Sequence, residues 1–424
     1  MRPMERGQDV ARKWWEVARA VRRLDLSTAA QAASIIRRMA GDRLRGRRVV
    51  ILFVEEPGFV QFMSPIVVEL KKMAPEKLSF YIATSYAENE VDLTPFGLPD
   101  ALRFDPTLAP LMLPASAFLS ASVYGMGPPN AVRINISHNQ PTKFEAYPKE
   151  YVRNYNAHFL TGPLHREQYE HMFELHGLDT NRYKLLDVGY PKSDALLQGK
   201  YDRQKVLSGL GLSSERQTVL YAPAWDPGGS LRSFGECVVE QLLSIQDVNV
   251  IVKLHPVSHT PSSSTNFEFY TGGVNWAERF QKYESNQRFR HVTDFQVDPL
   301  LLASDVMVTD FSSVALEFIV LDRPVIYLDC PEYFANTLKM PGYTTDPDYV
   351  KNDPRANAGR HVGVVVEDVA NLAAAVRDSI SFPSRNSEGR QELAAKLLYN
   401  PGTGAAVAAR TVLELIGITP ARAA

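Results

Sequence analysis

Residues Val306–Asp329 read VMVTDFSSVALEFIVLDRPVIYLD: an apolar run, a polar cluster, a short helical pattern and a second apolar run. The pattern predicts strand, turn, helix and strand, with Thr309–Ser313 (TDFSS) at the carboxyl end of the first strand. Ligands bind at that end of the strands in open α/β sheets. The segment therefore predicts an α/β fold with a parallel sheet, and a ligand site beside it.

Ser312 and Ser313 fall at the predicted helix start, where hydroxyls and unpaired backbone N–H groups can hold an anion. Glu317 lies four residues after Ser313, so both side chains can share one helix face. Serines for phosphates and a carboxylate for ribose hydroxyls would suit a nucleotide. An ordinary N-cap followed by a solvated glutamate explains the same residues, and this segment alone leaves both interpretations open.

Length and composition are those of a globular protein with more than one domain. The chain has 424 residues, 45% hydrophobic and 22% charged, with a formal net charge of −2. This length predicts two or three domains, and the small net charge gives no indication of nucleic-acid binding. The two cysteines, Cys237 and Cys330, exclude a disulfide framework and a multi-cysteine zinc site, which fits a reducing cytosol. We find no apolar run of about 18 residues and no secretory signal pattern, so we expect a cytoplasmic protein.

Positive charge is concentrated in the first 48 residues, which hold 13 Lys or Arg and 5 Asp or Glu, a net charge of +8. Trp14 and Trp15 begin an apolar stripe at helical spacing, and Ile35–Met39 begins a second one among further arginines. A basic amphipathic helical arm over residues 1–47 can bind an anionic membrane surface, here the inner face of the cell membrane. An arm that packs on its own body or on another subunit fits the same pattern.

From Arg48 onward, short apolar runs alternate with helical patterns, which predicts mostly parallel sheets. Residues 193–217 are more polar and lack a strong strand, so we place the linker between two such series there. We expect Rossmann-like domains at 48–200 and 201–385, and C-terminal helices at 386–424 that pack back across them. Two doubly wound domains facing a cleft form the GT-B architecture, which is the predicted fold. The predicted strands are Val49–Val54, Leu78–Ala83, Phe118–Val123, Val132–Ile136, His158–Thr161, Leu185–Val188, Thr218–Ala222, Val248–Lys253, Phe289–Val292, Val306–Val308, Val325–Leu328 and Val362–Val366.

Four further polar clusters follow predicted strands. They are INISHNQPTK at 134–143, VGYPKSD at 188–194, LYAPAWDPG at 220–228 and IVKLHPVSH at 251–259. A single histidine after a strand is more often structural than functional. Five clusters at strand ends across two α/β halves, however, indicate one shared site.

In this order the clusters resemble the motifs of the CDP-glycerol glycerophosphotransferase family, the teichoic-acid-type polyol-phosphate transferases and polymerases. The resemblance extends over residues 130–416, and its Lys-Leu-His-Pro motif is intact. The matching segments are His138–Lys143 for His-Gly-Thr-Pro-Leu-Lys, Gly189–Asp194 for Gly-Tyr-Pro-Arg-Asn-Asp, Tyr221–Trp225 for Tyr-Ala-Pro-Thr-Trp, Lys253–Pro256 for Lys-Leu-His-Pro, and Thr309–Ser313 with Glu317 for Thr-Asp-Tyr-Ser-Ser and a downstream Glu.

The resemblance implies an enzyme that moves a polyol phosphate from a CDP-activated donor to a hydroxyl of a cell-envelope glycan or glycolipid, releasing CMP. It implies His138 as general base, His255 as the group that neutralises charge on the leaving CMP, and Asp310 as an orienting group for His255 or for a phosphate-binding amide. No motif demands a metal, and Mg²⁺ beside phosphates is compatible with the site. The implied donor-binding residues are Lys253, Asp310, Ser312, Ser313 and Glu317, and the implied acceptor-side or supporting residues are Lys143, Tyr190, Pro223 and Trp225.

Two positions depart from the family pattern around the first histidine. Ser137 replaces an aromatic residue and Asn139 replaces a glycine, in a loop expected near the acceptor. This departure leaves the transferred group open. A GT-B glycosyltransferase using CMP-Kdo, a UDP-sugar or a GDP-sugar in surface polysaccharide synthesis would use the same strand-end residues. A catalytically silent module of an envelope-synthesis complex is a third interpretation.

Overall fold

Two parallel sheets organise the chain. The computed structural model describes residues 26–87, 89–98, 101–111, 113–141, 149–339, 351, 353 and 355–420. The first sheet has seven strands in the order 3-2-1-4-5-6-7, and the second has six in the order 10-9-8-11-12-13. The strands are β1 Arg48–Phe53, β2 Leu78–Ala83, β3 Leu102–Phe104, β4 Ala117–Ser120, β5 Val132–Asn135, β6 Ala157–Leu160, β7 Lys184–Asp187, β8 Gln217–Tyr221, β9 Val248–Val252, β10 Phe289–His291, β11 Val306–Thr309, β12 Val325–Leu328 and β13 Val364–Val366.

Every predicted strand has a counterpart, because parallel strands covered on both faces have continuous apolar sequences. All residues of β9 and of β11 are buried. The predicted strand Phe118–Val123 ends earlier, at Ser120, whose hydroxyl accepts a hydrogen bond from the Ser122 N–H at 3.0 Å and turns the chain. The edge strand β3 was not predicted, since three residues with a central arginine are too short for a periodic signal.

Helices cover both faces of each sheet. The helices are α1 Leu26–Leu44, α2 Val60–Met73, α3 Lys149–Arg153, α4 Pro163–His176, α5 Asp194–Leu197, α6 Arg203–Gly209, α7 Ser230–Phe234, α8 Glu236–Leu243, α9 Phe267–Thr271, α10 Trp276–Gln281, α11 Asp298–Ala303, α12 Val314–Ile319, α13 Pro331–Ala335, α14 Ala358–Val362, α15 Leu372–Ser381, α16 Ser387–Leu397 and α17 Gly404–Leu415.

The described part of the basic arm is helix α1, and its apolar face packs on the first sheet. Ile35 and Met39 are buried in the cluster that also contains Val49 and Tyr81. Its arginines Arg37, Arg38 and Arg43 are exposed. For residues 26–44, packing on the protein's own body is therefore the observed arrangement. Trp14 and Trp15 lie outside the described residues, and no described helix is long and apolar enough to cross a bilayer.

The chain passes from the first sheet to the second between Asp187 and Gln217, through α5 and α6. Helix α6 contacts α11 of the second half. At the C-terminal end, α16 contacts α12 and also α4, and α17 packs along α2 beneath the first sheet. The tail therefore touches both halves, and the facing carboxyl ends of the two sheets enclose the cleft between them.

Candidate functional site

A cavity of about 420 Å³ lies where the carboxyl ends of strands from the two sheets face each other. Its volume falls in the range of small-molecule sites, roughly 300–1,000 Å³. Most of the predicted site residues meet here: His138 from the first half, and Pro223, Trp225, Lys253, His255, Ser312, Ser313 and Glu317 from the second. Asp310 and Tyr190 lie behind the cavity wall, and Lys143 lies outside the described residues.

His138 follows β5, and the fold determines its tautomer. Its Nδ1 lies 2.7 Å from the carbonyl oxygen of Ala121, which carries no proton, so Nδ1 must be the donor and Nε2 keeps its lone pair. Burial lowers the pKa of His138 below its usual value of 6.5. The imidazole stacks on Phe59 with ring centroids 5.2 Å apart, and the Tyr190 hydroxyl donates to the His138 carbonyl at 3.2 Å. A fixed, neutral imidazole with a free lone pair can act as a general base.

Ser137, one of the two residues that depart from the family pattern, helps to hold this loop together. Ser137 adopts a left-handed conformation with φ of +56°. Its N–H donates to the Asn135 side chain, and its hydroxyl donates to the Asn139 carbonyl at 3.3 Å. Left-handed backbone at a non-glycine residue costs of order 1 kcal/mol and often occurs at functional sites. The local hydrogen bonds stabilise the conformation that presents His138 to the cavity.

His255 lies at the exit of β9 and has the opposite tautomer. It precedes a 3₁₀ turn at Pro256–His259, and its Nδ1 accepts a hydrogen bond from the Val257 N–H at 3.3 Å. The proton of the neutral ring is therefore on Nε2. Burial, and then the neighbouring Lys253, lower the pKa of His255 to about 4. A neutral His255 offers its Nε2–H to a phosphate oxygen, and its expected part in neutralising the leaving CMP, with or without Lys253, stays a prediction.

Lys253 places a cation in the cavity wall beside His255. Its side chain is only 7% exposed, and its ammonium group donates to the Leu254 carbonyl at 3.0 Å. Burial lowers the pKa of Lys253 to about 8, so the group is mostly cationic at neutral pH. A cation beside a neutral N–H donor forms a wall suited to phosphate oxygens.

Ser312 and Ser313 lie where predicted, at the turn between β11 and α12. Both are partly exposed and line the cavity. Ser313 is the N-cap residue of α12, but its hydroxyl makes no capping hydrogen bond. The ordinary N-cap interpretation therefore does not explain Ser313, which favours a hydroxyl available to an anion in the cavity.

Asp310 is fully buried, and its carboxylate binds groups of the protein itself. Its carboxylate accepts hydrogen bonds from the N–H groups of Ala224 at 2.8 Å, Ser230 at 2.7 Å and Phe311 at 2.6 Å, and from the Ser230 hydroxyl at 2.8 Å. None of these partners is His255, so Asp310 does not orient that ring, and as a fully buried carboxylate it makes no direct contact with a donor. The alternative expectation, that Asp310 orients a backbone amide beside the phosphate site, fits these hydrogen bonds. Asp310 also fixes the loop that carries Trp225.

Pro223 and Trp225 belong to the second half of the cavity, a position that fits the supporting role among the two roles expected for them. The Trp225 ring lies 6.4 Å from the His255 ring and packs against Phe269 at 5.8 Å and Tyr270 at 5.3 Å. This aromatic wall stands beside the cationic wall, so both lie on the face expected to hold the donor.

Lys192 was not predicted as a site residue. It comes from the first half, yet its ammonium group lies 2.5 Å from Glu317 Oε2 and 3.0 Å from Asp298 Oδ1, both in the second half. All three side chains are nearly buried, and the two acidic partners raise the pKa of Lys192 against the opposing effect of burial. The sequence did contain a signal for Lys192. It occupies the position of the Gly189–Asp194 motif at which the family has an arginine, so both sequences place a cation there.

The described residues hold no cluster of three or more His, Cys, Asp or Glu side chains placed to bind a metal ion. On the first half, Glu56, Phe59 and Phe62 complete the cavity beside His138. Burial, and then the neighbouring Glu55, raise the pKa of Glu56. One wall of the cavity is thus cationic and aromatic, and the facing wall is acidic and aromatic around a base.

Comparison with known proteins confirms the family resemblance. Residues 136–336 match the family described as CDP-Glycerol:Poly(glycerophosphate) glycerophosphotransferase. A teichoic acid glycerol-phosphate transferase of Staphylococcus aureus is 25% identical over 159 residues, which are 35% of this chain and 36% of that protein. A teichoic acid glycerol-phosphate primase of Bacillus spizizenii is 26% identical over 163 residues, 37% of this chain and 38% of that protein. The chain thus spans well under half the length of these relatives.

Solved structures confirm the GT-B type fold. The wall teichoic acid polymerase TagF superposes with a TM-score of 0.63 at 14% sequence identity, covering 92% of this chain and 97% of that chain. A UDP-GlcNAc 2-epimerase from Neisseria meningitidis has a TM-score of 0.50 at 14% identity, covering 87% of this chain and 99% of that chain. At such low identity these likenesses establish the architecture alone.

Proposed function

We propose that this protein is a transferase that moves a polyol phosphate, such as glycerol phosphate, from a CDP-activated donor to a hydroxyl of a cell-envelope glycan or glycolipid. The observation that carries the proposal is the pair of opposite tautomers across the cavity. His138 presents a lone pair from the first half, and His255 presents an N–H from the second. Transfer of a phosphoryl group needs a base on one side and anion stabilisation on the other.

In the proposed reaction the acceptor oxygen attacks the β-phosphorus of the donor. A new phosphorus–oxygen bond forms to the acceptor, and the bond between the β-phosphorus and the oxygen bridging to the α-phosphorus breaks. CMP leaves with the bridging oxygen and its electron pair, and the acceptor proton moves to His138 Nε2. Lys253 and the Nε2–H of His255 stabilise the phosphate oxygens, and positioning supplies most of the acceleration.

The donor in this proposal occupies the second half of the cavity. Its phosphates lie against Lys253, His255 and the hydroxyls of Ser312 and Ser313, all of which line the cavity. Its ribose hydroxyls donate to Glu317, whose carboxylate lies at the cavity floor. Cationic and hydroxyl groups at one end and a carboxylate at the other match a ligand that has phosphates at one end and hydroxyls at the other.

The acceptor enters along the first half, beside His138. Phe59 and Phe62 offer flat apolar faces there, and Glu56 offers a hydrogen-bond acceptor for hydroxyl groups. These three residues precede the segment that matches the family, so the family match gives no information about their role. A hydroxyl-rich, partly apolar acceptor such as a glycan or glycolipid fits this wall.

An assay of CMP release tests the proposal. Purified protein with a glycan or glycolipid acceptor should release CMP from CDP-glycerol or CDP-ribitol, and these donors should raise the melting temperature more than UDP- or GDP-sugars do. Preferential stabilisation by a nucleotide sugar, with sugar transfer and without CMP release from either CDP-polyol, would favour the glycosyltransferase alternative. No turnover with any donor would favour the catalytically silent module. We further propose that no metal is required. Neither EDTA nor added Mg²⁺ should therefore change the rate of CMP release.

We also propose that the protein works at the inner face of the membrane, held by the first 25 residues. Helix α1 packs on the first sheet, so its buried apolar face is not available to a membrane, whereas its arginines and the side chains of Ile36 and Leu44 are exposed. The tryptophans of the preceding residues would provide the apolar contact. Flotation with anionic liposomes should therefore succeed for the full chain and fail for a Δ1–25 variant that keeps α1. Equal binding by both proteins would count against the arm.

A further inference from the structure

The triad formed by Lys192, Glu317 and Asp298 crosses between the two halves at the floor of the cavity. Lys192 follows the first sheet, Glu317 belongs to α12, and Asp298 begins α11. The three side chains are 5–8% exposed, and the ammonium group contacts both carboxylates. A buried ion pair between two halves is costly to break, because removing one partner leaves an unpaired buried charge.

The same short segment also contacts the candidate base. The Tyr190 hydroxyl donates to the His138 carbonyl at 3.2 Å. The Lys192 ammonium lies 5.8 Å from the ring centroids of both Tyr190 and Phe62, and the Phe62 ring lies 6.2 Å from the His138 ring. Residues 190–192 thus connect the base of one half to the carboxylate floor of the other.

We infer that Lys192 is a positioning residue for the transfer reaction, acting on both sides of the cavity. It keeps the Glu317 carboxylate ionised and oriented for donor hydroxyls, and it holds the two halves so that His138 faces the donor phosphate. This inference rests on the proposed function and extends it. In this inference the Glu317 carboxylate accepts hydrogen bonds from the hydroxyls of the nucleoside. Its negative charge depends on Lys192, which comes from the opposite domain.

The electrostatic surroundings give the inference a specific signature. Glu317 faces Lys192 and Asp298, and Tyr201 and Lys253 are the further titratable groups close to this triad. Burial and Asp298 raise the pKa of Glu317, and Lys192 opposes them. Without Lys192, two adjacent buried carboxylates cannot both ionise, so one binds a proton at neutral pH. A protonated Glu317 is a poorer acceptor for donor hydroxyls, and raising the pH restores its charge.

The test uses Lys192→Met in the full chain, with CMP affinity and the rate with CDP-glycerol as readouts. At about pH 6.5, CMP binding should weaken about tenfold or more, the loss expected when a hydrogen bond to a charged group is removed. Relative to the unsubstituted protein at the same pH, this defect should shrink toward pH 9. The turnover rate with CDP-glycerol should also fall about tenfold or more. Lys192→Arg, which keeps the cation, should recover most of both.

A matched control separates positioning from stability. Arg390→Met removes another buried cation of the second half, 2% exposed and paired with Asp322 at 2.9 Å, away from the cavity. It should lower thermal stability but leave CMP affinity and turnover unchanged. The double variant Lys192→Met/Asp298→Asn removes one charge of each sign and serves if the single variant does not fold. It should not recover turnover, because the contact between the halves is still absent, and its CMP affinity should again improve as the pH rises, because burial alone raises the pKa of Glu317.

Three results would overturn the inference: a CMP defect of the same size at every pH, equal defects in Arg390→Met, or normal turnover in the double variant. An unsubstituted protein that neither binds CMP nor releases it from CDP-glycerol would instead count against the proposed function. Failure of the proposed function is thus distinguishable from failure of the role assigned to Lys192.

Discussion

Replacing His138 by alanine should abolish most turnover while leaving donor binding nearly intact. In the proposed reaction the lone pair on Nε2 of His138 takes the proton of the acceptor hydroxyl. The residues that contact the CDP-activated donor lie on the other half of the cavity. The change therefore removes an interaction made during proton transfer, so kcat should fall and the KM for the donor should change little.

The expected size follows from the contacts of the ring. General-base catalysis is worth about 10²–10⁴-fold, or about 3–5 kcal/mol of barrier at 1.36 kcal/mol per decade. Loss of the ring also leaves the Ala121 carbonyl without its 2.7 Å partner and Phe59 without its stacked neighbour. An unsatisfied buried acceptor costs about 1–3 kcal/mol of stability, so a modest fall in melting temperature should accompany the kinetic loss.

Steady-state CMP release and equilibrium binding of CDP-glycerol together measure both quantities. His361→Ala, an exposed histidine outside the cavity, is the control and should leave rate and binding unchanged. The reasoning would be refuted if His138→Ala kept normal kcat and lost donor affinity, because the imidazole would then bind the donor instead of the acceptor proton.

Four further predictions concern the two halves of the cavity. His255→Ala should raise donor KM and lower kcat together, since its N–H serves bound donor and leaving group; unchanged kinetics would remove it from the site. The kcat/KM profile should fall as pH rises through about 8, where Lys253 loses its proton, and Lys253→Arg should move this limb to higher pH; an unshifted limb would exclude Lys253. The acid limb should lie below pH 6.5, because burial lowers the pKa of His138 and the base works unprotonated. Asp310→Asn should cost about 1–3 kcal/mol of stability and raise donor KM, because the amide nitrogen cannot accept the N–H groups of Ala224 or Ser230; a normal KM would show that this loop does not shape the donor site.

The sequence was sufficient to predict where the site lies, because the carboxyl ends of parallel strands must converge. His138, His255, Ser312 and Glu317 each follow or flank a strand that is visible as a buried apolar run, and all four line one cavity. The parallel pairing and the two-domain architecture follow from the same alternation of strands and helices, but the order of strands within each sheet was not predicted.

Side-chain direction was less predictable. Asp310 follows a strand as His255 does, but it points away from the cavity because the loop through Ala224 and Ser230 brings N–H groups to it. A strand-end aspartate has the same sequence pattern in either case. Which case holds depends on a loop 80–86 residues earlier in the chain.

Contacts between the two halves could not be predicted from the sequence either, because they depend on residues that are far apart in the chain. Lys192 and Glu317 are separated by 125 residues, and their ion pair exists only for one orientation of the two domains. Helix α1 is a similar case, since the amphipathic pattern around Ile35 and Met39 specifies an apolar face but not the surface that covers it.

The assignment of acid and base roles depends most on backbone geometry. Both imidazoles have their Nδ1 atoms bound to main-chain groups, a carbonyl at Ala121 and an N–H at Val257, so each tautomer follows from the course of the chain. Burial lowers the pKa of both rings, so at pH values between the pKa of His138 and about 8 both rings are neutral while Lys253 is still charged. In that range the first half can only take a proton and the second half can only donate hydrogen bonds. The fold therefore gives the cavity a direction, with the acceptor hydroxyl beside His138 and the leaving phosphate beside His255, before any substrate is bound.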